Sequence, residues 1–193
     1  VFLEQRLQRR TRELERYRFR EMVSLFPFKG LEDEGDRDTV HTTIPDALRS
    51  SGRELEQGAL FAGRDRYLWL RRVVTIPPAK EGCQVFGLFD FGRTGPGSTS
   101  GFESLLYVDG HPYQGVDTNH NDVNLENFAG QTVELVFLLW SGLEGGGQPR
   151  EQFHRLQTAQ MGYLHLETDR LYYLAKAIYK TLRYLPEEDP IRS

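Results

Sequence analysis

Phe102 to Val116 reads FESLLYVDGHPYQGV, two short apolar and aromatic runs hinged on Asp109-Gly110. Asp-Gly supplies the positive φ angles that a two-residue hairpin turn needs, so the stretch predicts two antiparallel strands. Its neighbours repeat the pattern. YLWLRRVVTIPP (67–78) is rich in aromatic and β-branched residues and stops at a proline pair, as a strand does. CQVFGLFDFG (83–92) alternates strictly, with Val85, Gly87, Phe89 and Phe91 on one face and Phe86, Leu88 and Asp90 on the other. QTVELVFLLWSG (131–142) is a long strand entered from the turn signal Ala129-Gly130. Strands separated by turns instead of helices predict an antiparallel β-sandwich, not a doubly wound sheet.

Helices bracket the strands. Residues 3–22 contain no Gly or Pro, and Leu3, Leu7, Leu14 and Tyr17 fall on one side at helical spacing, interrupted by Arg10. Seven Arg against three Glu in residues 1–20 make this helix basic. The simpler of two readings is a solvated face laced with Glu–Arg pairs, docked by its leucine stripe on a neighbouring domain, instead of a polyanion site. DRLYYLAKAIYKTLRYL (169–185) recovers helical spacing, with Asp169 as a cap and Pro186 as a stop. LEDEGDRD (31–38) reads as an exposed acidic loop without metal-cage spacing. The expected organisation is a helix and lead-in over 1–30, a sandwich over 31–150 and a helical segment over 151–193.

The chain's 193 residues bury a sizeable core, and a composition of 38% hydrophobic and 27% charged residues is that of a globular domain. A net charge of −4 gives no reason to expect nucleic acid as a partner, and no apolar run is long enough to span a bilayer. No signal-peptide pattern opens the chain, so a cytoplasmic location is expected. Cys83 is the sole cysteine, which precludes an internal disulfide and a cysteine-rich zinc site.

Candidate chemistry gathers after the hairpin. Asp117, Asn119, His120, Asn121 and Asp122 follow a strand directly, and Tyr113 precedes them. Their carboxylates and amides suit adjacent sugar hydroxyls, and the tyrosine ring suits a sugar's C–H face. The same residues also cap turns by bonding their own backbone. Asp122 stands where a calcium loop needs Gly, and Phe128 where it needs Glu, so that motif fails. His41, His111, His120, His154 and His165 form no metal-spaced pair. Ser141 has no nucleophile-elbow glycine ahead of it, and GRTGPGSTSG (92–101) lacks a phosphate-cradle ending. SGLEGGGQP (141–149) is a loop whose glycines leave backbone free for close approach. Trp69 and Trp140 lie in apolar strand runs and read as core anchors.

FLEQRLQRRTRELERYR, GFESLLYVDGHPYQGVDTNHNDV and LLWSGLEGGG, in this order, resemble the N-terminal region of bacterial α-mannosidases of glycoside hydrolase family 38. The resemblance covers most of the chain, from about Phe2 to past Gly147, and implies a jelly-roll or galactose-binding-domain-like sandwich ahead of a catalytic barrel. The family's His-x-His-x-Asp zinc signature and its Asp nucleophile are absent from these residues. The implied role is therefore a non-catalytic accessory domain, without cofactor or metal of its own, in a zinc-dependent retaining enzyme acting on terminal α-mannosides. Gly115, Asp117, Asn119 and His120 match the family pattern. With Tyr113, Glu144 and Gly145 they are the expected contacts to substrate or to the barrel. The alternatives are an autonomous carbohydrate-binding module and a domain that oligomerises the enzyme.

Overall fold

A computed structural model describes residues 2–33, 43–94, 101–142, 152–186 and 188–192. Along the chain run α1 (Phe2–Arg18), β1 (Phe19–Ser24), β2 (Phe28–Asp33), α2 (Ala47–Ser50), β3 (Arg53–Leu55), β4 (Leu60–Ala62), β5 (Tyr67–Thr75) and β6 (Cys83–Asp90). There follow β7 (Glu103–Val108), β8 (His111–Asp117), β9 (Asp122–Asn124), β10 (Thr132–Trp140), β11 (Phe153–Arg155), β12 (Thr158–His165) and α3 (Leu166–Leu182). The strands form a four-stranded sheet β1-β12-β6-β9, a six-stranded sheet β3-β2-β5-β10-β7-β8 and a small β11-β4 pair. Every pairing is antiparallel. The expected antiparallel sandwich with helices at both ends is the architecture found. Among the described residues no helix is long and apolar enough to cross a membrane.

The core lies between the sheets and is largely aromatic. Phe137 on β10 meets Phe89 at 4.7 Å and Phe91 at 5.0 Å between ring centroids, joining the six-stranded sheet to the β6 side. Phe28 on β2 closes on Phe91 and Phe137 edge-to-face. The alternation read in 83–92 is the observed one: Val85, Phe89 and Phe91 are fully buried. Gly87 leaves the room that the Phe89 ring fills, since a Cβ there would stand 2.6 Å from it. From Leu135 to Trp140, β10 reads as an unbroken apolar run because both its faces are covered there. Val133, Leu135, Phe137 and Leu139 point into the sandwich, whereas Val136 joins Trp69, Tyr107 and Leu48 of α2 in a second, smaller core outside the sheet. The hairpin turn is as expected, with Asp109 at φ 49° and Gly110 at φ 82°.

Several expectations need correction. The helix foreseen over 3–22 ends at Arg18, and residues 19–24 are strand β1, paired with β12. Helix propensity yields there to tertiary pairing: Phe19 packs against Phe86 at 6.3 Å, and Glu21 takes φ 53° where the β1–β12 register shifts. Part of the acidic loop is strand as well, since Leu31–Asp33 belong to β2, while 34–38 lie outside the described residues. The second helix begins at Leu166, capped by the His165 ring, whose Nδ1 accepts the Thr168 N–H at 3.3 Å. Asp169, foreseen as that cap, lies in the first turn and pairs with Arg18 at 2.7 Å. The strands are not confined to 31–150: β1, β11 and β12 lie outside that span and β2 begins before it. The helix α1 packs along α3 of the same chain, with Leu7 and Leu14 half-buried, instead of standing ready for another domain alone.

Candidate functional site

The strand registers define one end of the six-stranded sheet. Asp33 pairs with Tyr67, Tyr67 with Trp140, Trp140 with Glu103 and Glu103 with Asp117. One pleat inward runs the row Leu31, Trp69, Leu138, Leu105 and Gly115. Trp69 belongs to the outer small core, and side chains two residues apart on a strand share a face. Both rows therefore lie on the outer face. Gly115 is exposed and a Cβ there would find nothing nearer than Ser104 O at 4.0 Å, so the sheet beside Leu105 is bare at this edge.

Both indoles are pinned by carboxylates. Trp69 Nε1 donates to Asp33 Oδ2 at 3.0 Å and Trp140 Nε1 to Asp65 Oδ1 at 2.8 Å. Trp69 is the fully buried anchor foreseen. Trp140 is half-buried, at the sheet's rim and outside both core clusters, because its strand leaves the sandwich there.

The polar knot builds itself into a turn. Asp117 Oδ1 accepts the backbone N–H of Asn119 at 2.6 Å and of His120 at 2.8 Å, while the His120 ring Nδ1 lies 3.1 Å from Oδ2. Burial acts to raise the Asp117 carboxyl, but hydrogen bonds from the His120 ring and the two backbone amides outweigh it and hold the group below its ordinary value. Asn119 and His120 themselves are exposed. Tyr113 is apart from this turn: its hydroxyl donates to Asn124 O at 2.7 Å and its ring stands edge-on to Phe128, clasping β8 to β9 of the other sheet. Glu144 and Gly145 lie outside the described residues.

Sequence reading missed Glu103 and Asp65, and named His154 only as a histidine without a metal-spaced partner. The first two are isolated acidic residues whose role appears only through register and packing. His154 is fully buried on β11 and reaches two carbonyls, Ser141 O at 2.7 Å from Nε2 and Gly92 O at 3.3 Å from Nδ1. Ser141 in turn accepts the Arg66 N–H at 2.8 Å through Oγ. His154 thus staples the strand ends from which 95–100 and 143–151 depart. Among the described residues, no three His, Cys, Asp or Glu side chains are grouped to hold a metal. The arrangement offers two carboxylates across one strand pair, an indole beside them and bare backbone at Gly115. That combination can accept hydrogen bonds from hydroxyls against an apolar floor.

Fold and site together define an antiparallel β-sandwich with a helical pair and a polar, indole-edged loop end. No protein-family model and no curated protein matches the chain. Among solved structures it is similar to the β-glucuronidase from Ruminococcus gnavus in complex with an N1-substituted uronic isofagomine, at 11% identity and a TM-score of 0.47, over 76% of this chain. The chain spans 30% of that glucuronidase. It is also similar to TmCBM61 in complex with β-1,4-galactotriose, at 11% identity and a TM-score of 0.38, over 72% of this chain and 89% of the other. Likenesses this distant say nothing about activity.

Proposed function

We propose that the chain is the N-terminal accessory sandwich of a cytoplasmic α-mannosidase of glycoside hydrolase family 38, itself non-catalytic, whose loop end seats a catalytic barrel and shapes its substrate site. One observation carries this reading. Two of the three sequence blocks that resemble the family, 101–123 and 138–147, meet in a single row through Trp140, Glu103 and Asp117. Blocks separated in the chain but joined in space are what a shared docking or substrate-lining surface requires. The zinc and the nucleophilic carboxylate of such an enzyme belong to polypeptide outside these residues.

The test is to express the longest open frame containing this chain and to assay α-mannoside hydrolysis beside the 193-residue chain alone. Mannose release by the longer protein and none by the chain is the expected result. Release by the chain alone sinks the accessory reading, and an inactive long protein lacking a His-x-His-x-Asp stretch sinks the family assignment.

The half-buried Trp140 beside Glu103, Asp117 and Gly115 favours a second reading, an autonomous carbohydrate-binding module. Titration with mannose and α-mannosides separates the two. The accessory reading expects binding no tighter than about 1 mM, roughly 4 kcal/mol, whereas a micromolar constant establishes the module.

A further inference from the structure

Two paired strands run directly into two paired helices. α1 ends at Arg18 and β1 begins at Phe19, while β12 ends at His165 and α3 begins at Leu166. Phe19 pairs with Leu164 across the sheet, so both junctions lie side by side. Arg18 binds Asp169 at 2.7 Å and Glu15 accepts the Tyr172 hydroxyl at 3.0 Å, so the helices pack antiparallel from their roots. No connecting residue separates strand from helix at either root. The way the first turn of α3 is closed therefore fixes the helix pair to the sheet.

His165 closes that turn. A backbone N–H can only donate, so the Thr168 N–H at 3.3 Å makes the ring Nδ1 an acceptor. The Thr168 hydroxyl stands 2.8 Å from the same nitrogen. An imidazole that accepts at Nδ1 is neutral and carries its one hydrogen on Nε2. The Leu166 N–H is satisfied separately, by Gly82 O at 3.0 Å. An imidazolium has no lone pair to offer Thr168, and it would place a positive charge at the positive end of the helix dipole.

The charges around the ring come from every neighbouring element. From the end of α1, Arg18 is held by Asp169. From β1, Arg20 reaches Thr168 Oγ1 at 3.4 Å, and Glu21 pairs with Lys80. From β6, Cys83 is the cross-strand neighbour of His165. Lys80, just ahead of β6, stands 4.9 Å over the ring of Tyr163, on the face of β12 that His165 shares. Glu81 is exposed and forms no ion pair with the ring. Within α3, Asp169 is taken by Arg18, and Glu167 leans on Arg170 at 3.4 Å. The carboxylates of Glu21, Glu167 and Asp169 each already hold a cation, so none of them stands free to welcome a charged ring.

We propose that His165 is a pH-sensitive catch at the root of the helix pair. Neutral, it caps α3 and holds the pair to the sheet; protonated, it releases the Thr168 N–H and opens the first turn, loosening Arg18 from Asp169. Imidazole is the side chain whose ordinary titration falls in the physiological range. The open turn binds one more proton than the closed one, so closure strengthens as pH rises and weakens as pH falls. The inference does not depend on which glycoside, if any, the parent protein hydrolyses.

Hydrogen exchange on the 193-residue chain tests it, expressed as protection factors so that the intrinsic pH dependence of exchange is removed. Between about pH 8 and pH 5 the amides of residues 166–170 should lose about 5-fold in protection, the usual worth of an N-cap, while β10 is unaffected. Nitrogen NMR of the ring should show Nδ1 bare at the upper pH. H165N should keep its protection at both pH values, because Asn is a good N-cap that does not titrate, and H165A should be poorly protected at both. Wild-type protection that is the same at both pH values overturns the proposal, as does an equal fall in H165N. An H165A chain as well protected as wild type at the upper pH, or a hydrogen found on Nδ1 there, shows that the ring does not cap the turn and overturns it equally.

Discussion

Asp117 and His120 grip each other across one turn, ring Nδ1 to Oδ2 at 3.1 Å and backbone N–H to Oδ1 at 2.8 Å. The carboxylate is thus already engaged by protein donors before any ligand arrives. Its first task is to hold the connection that carries the chain from β8 in one sheet to β9 in the other. Asp117→Ala should cost about 1 kcal/mol, the usual value of a side chain capping backbone amides, and Asp117→Asn less, measured by urea unfolding. In the longer protein Asp117→Ala should also lower activity or melting temperature. If neither stability nor kinetics changes, the turn is dispensable.

Glu134 ties α2 to the outer face of the six-stranded sheet. Arg49 grips it in a fork, Nη2 to Oε2 at 2.7 Å and Nε to Oε1 at 3.2 Å, and Arg71 reaches Oε1 at 2.5 Å. Hydrogen bonding from Arg49 first, and from Arg71 after it, depresses the Glu134 carboxyl against the opposing effect of burial. A depressed folded-state pKa contributes stability that is fully present above the unfolded value, about 4.3, and is lost as pH falls through the folded value. Glu134→Gln should therefore cost about 1–3 kcal/mol at neutral pH. The gap between wild type and variant should close in acid, below about pH 4; a gap independent of pH would contradict the assignment.

The two cores should respond differently to truncation. Phe137 lies at the aromatic centre, so Phe137→Ala should cost about 3–5 kcal/mol and lower the global melting transition. Leu48→Ala opens only the outer cluster over the buried Trp69. It should cost about 2–3 kcal/mol and redshift tryptophan emission before global unfolding. Coincident effects from both variants would show that the outer cluster is not a separate unit.

Gly162 lies opposite the irregular part of β1. A Cβ there would stand 2.7 Å from Arg20 O, 2.8 Å from Glu21 O and 2.6 Å from Met22 Sδ. Two of the three are backbone atoms, which cannot swing aside as a side chain can. Gly162→Ala should strip β1 from the sheet and raise hydrogen exchange at residues 19–24, with a loss of about 1–3 kcal/mol. Unaltered protection in β1 would refute this.

Local signals in these residues were strong where the chemistry is local. The Asp109-Gly110 turn depends on two backbone dihedrals, and the alternation of Val85, Phe89 and Phe91 depends on a pleat that any strand has. The polar turn at Asp117 was legible for the same reason, since Asp and Asn bond their near neighbours. What stayed hidden involves distant partners. Residues 19–22 look helical because their intrinsic preference is helical, and only β12, some 140 residues later, makes a strand of them. His154 gives no sign in sequence that it staples Gly92 to Ser141.

The amino-acid sequence alone determined that antiparallel strands would pack as a sandwich, with a helix at each end and a hydrogen-bonding turn after the hairpin. Only the tertiary structure decided that Trp140, Glu103 and Asp117 would stand side by side, and that one face of α3 would be left bare. Periodicity assigns a side chain to a face, but cross-strand register and helix docking are settled by contacts among residues far apart in the chain, and no local pattern encodes them.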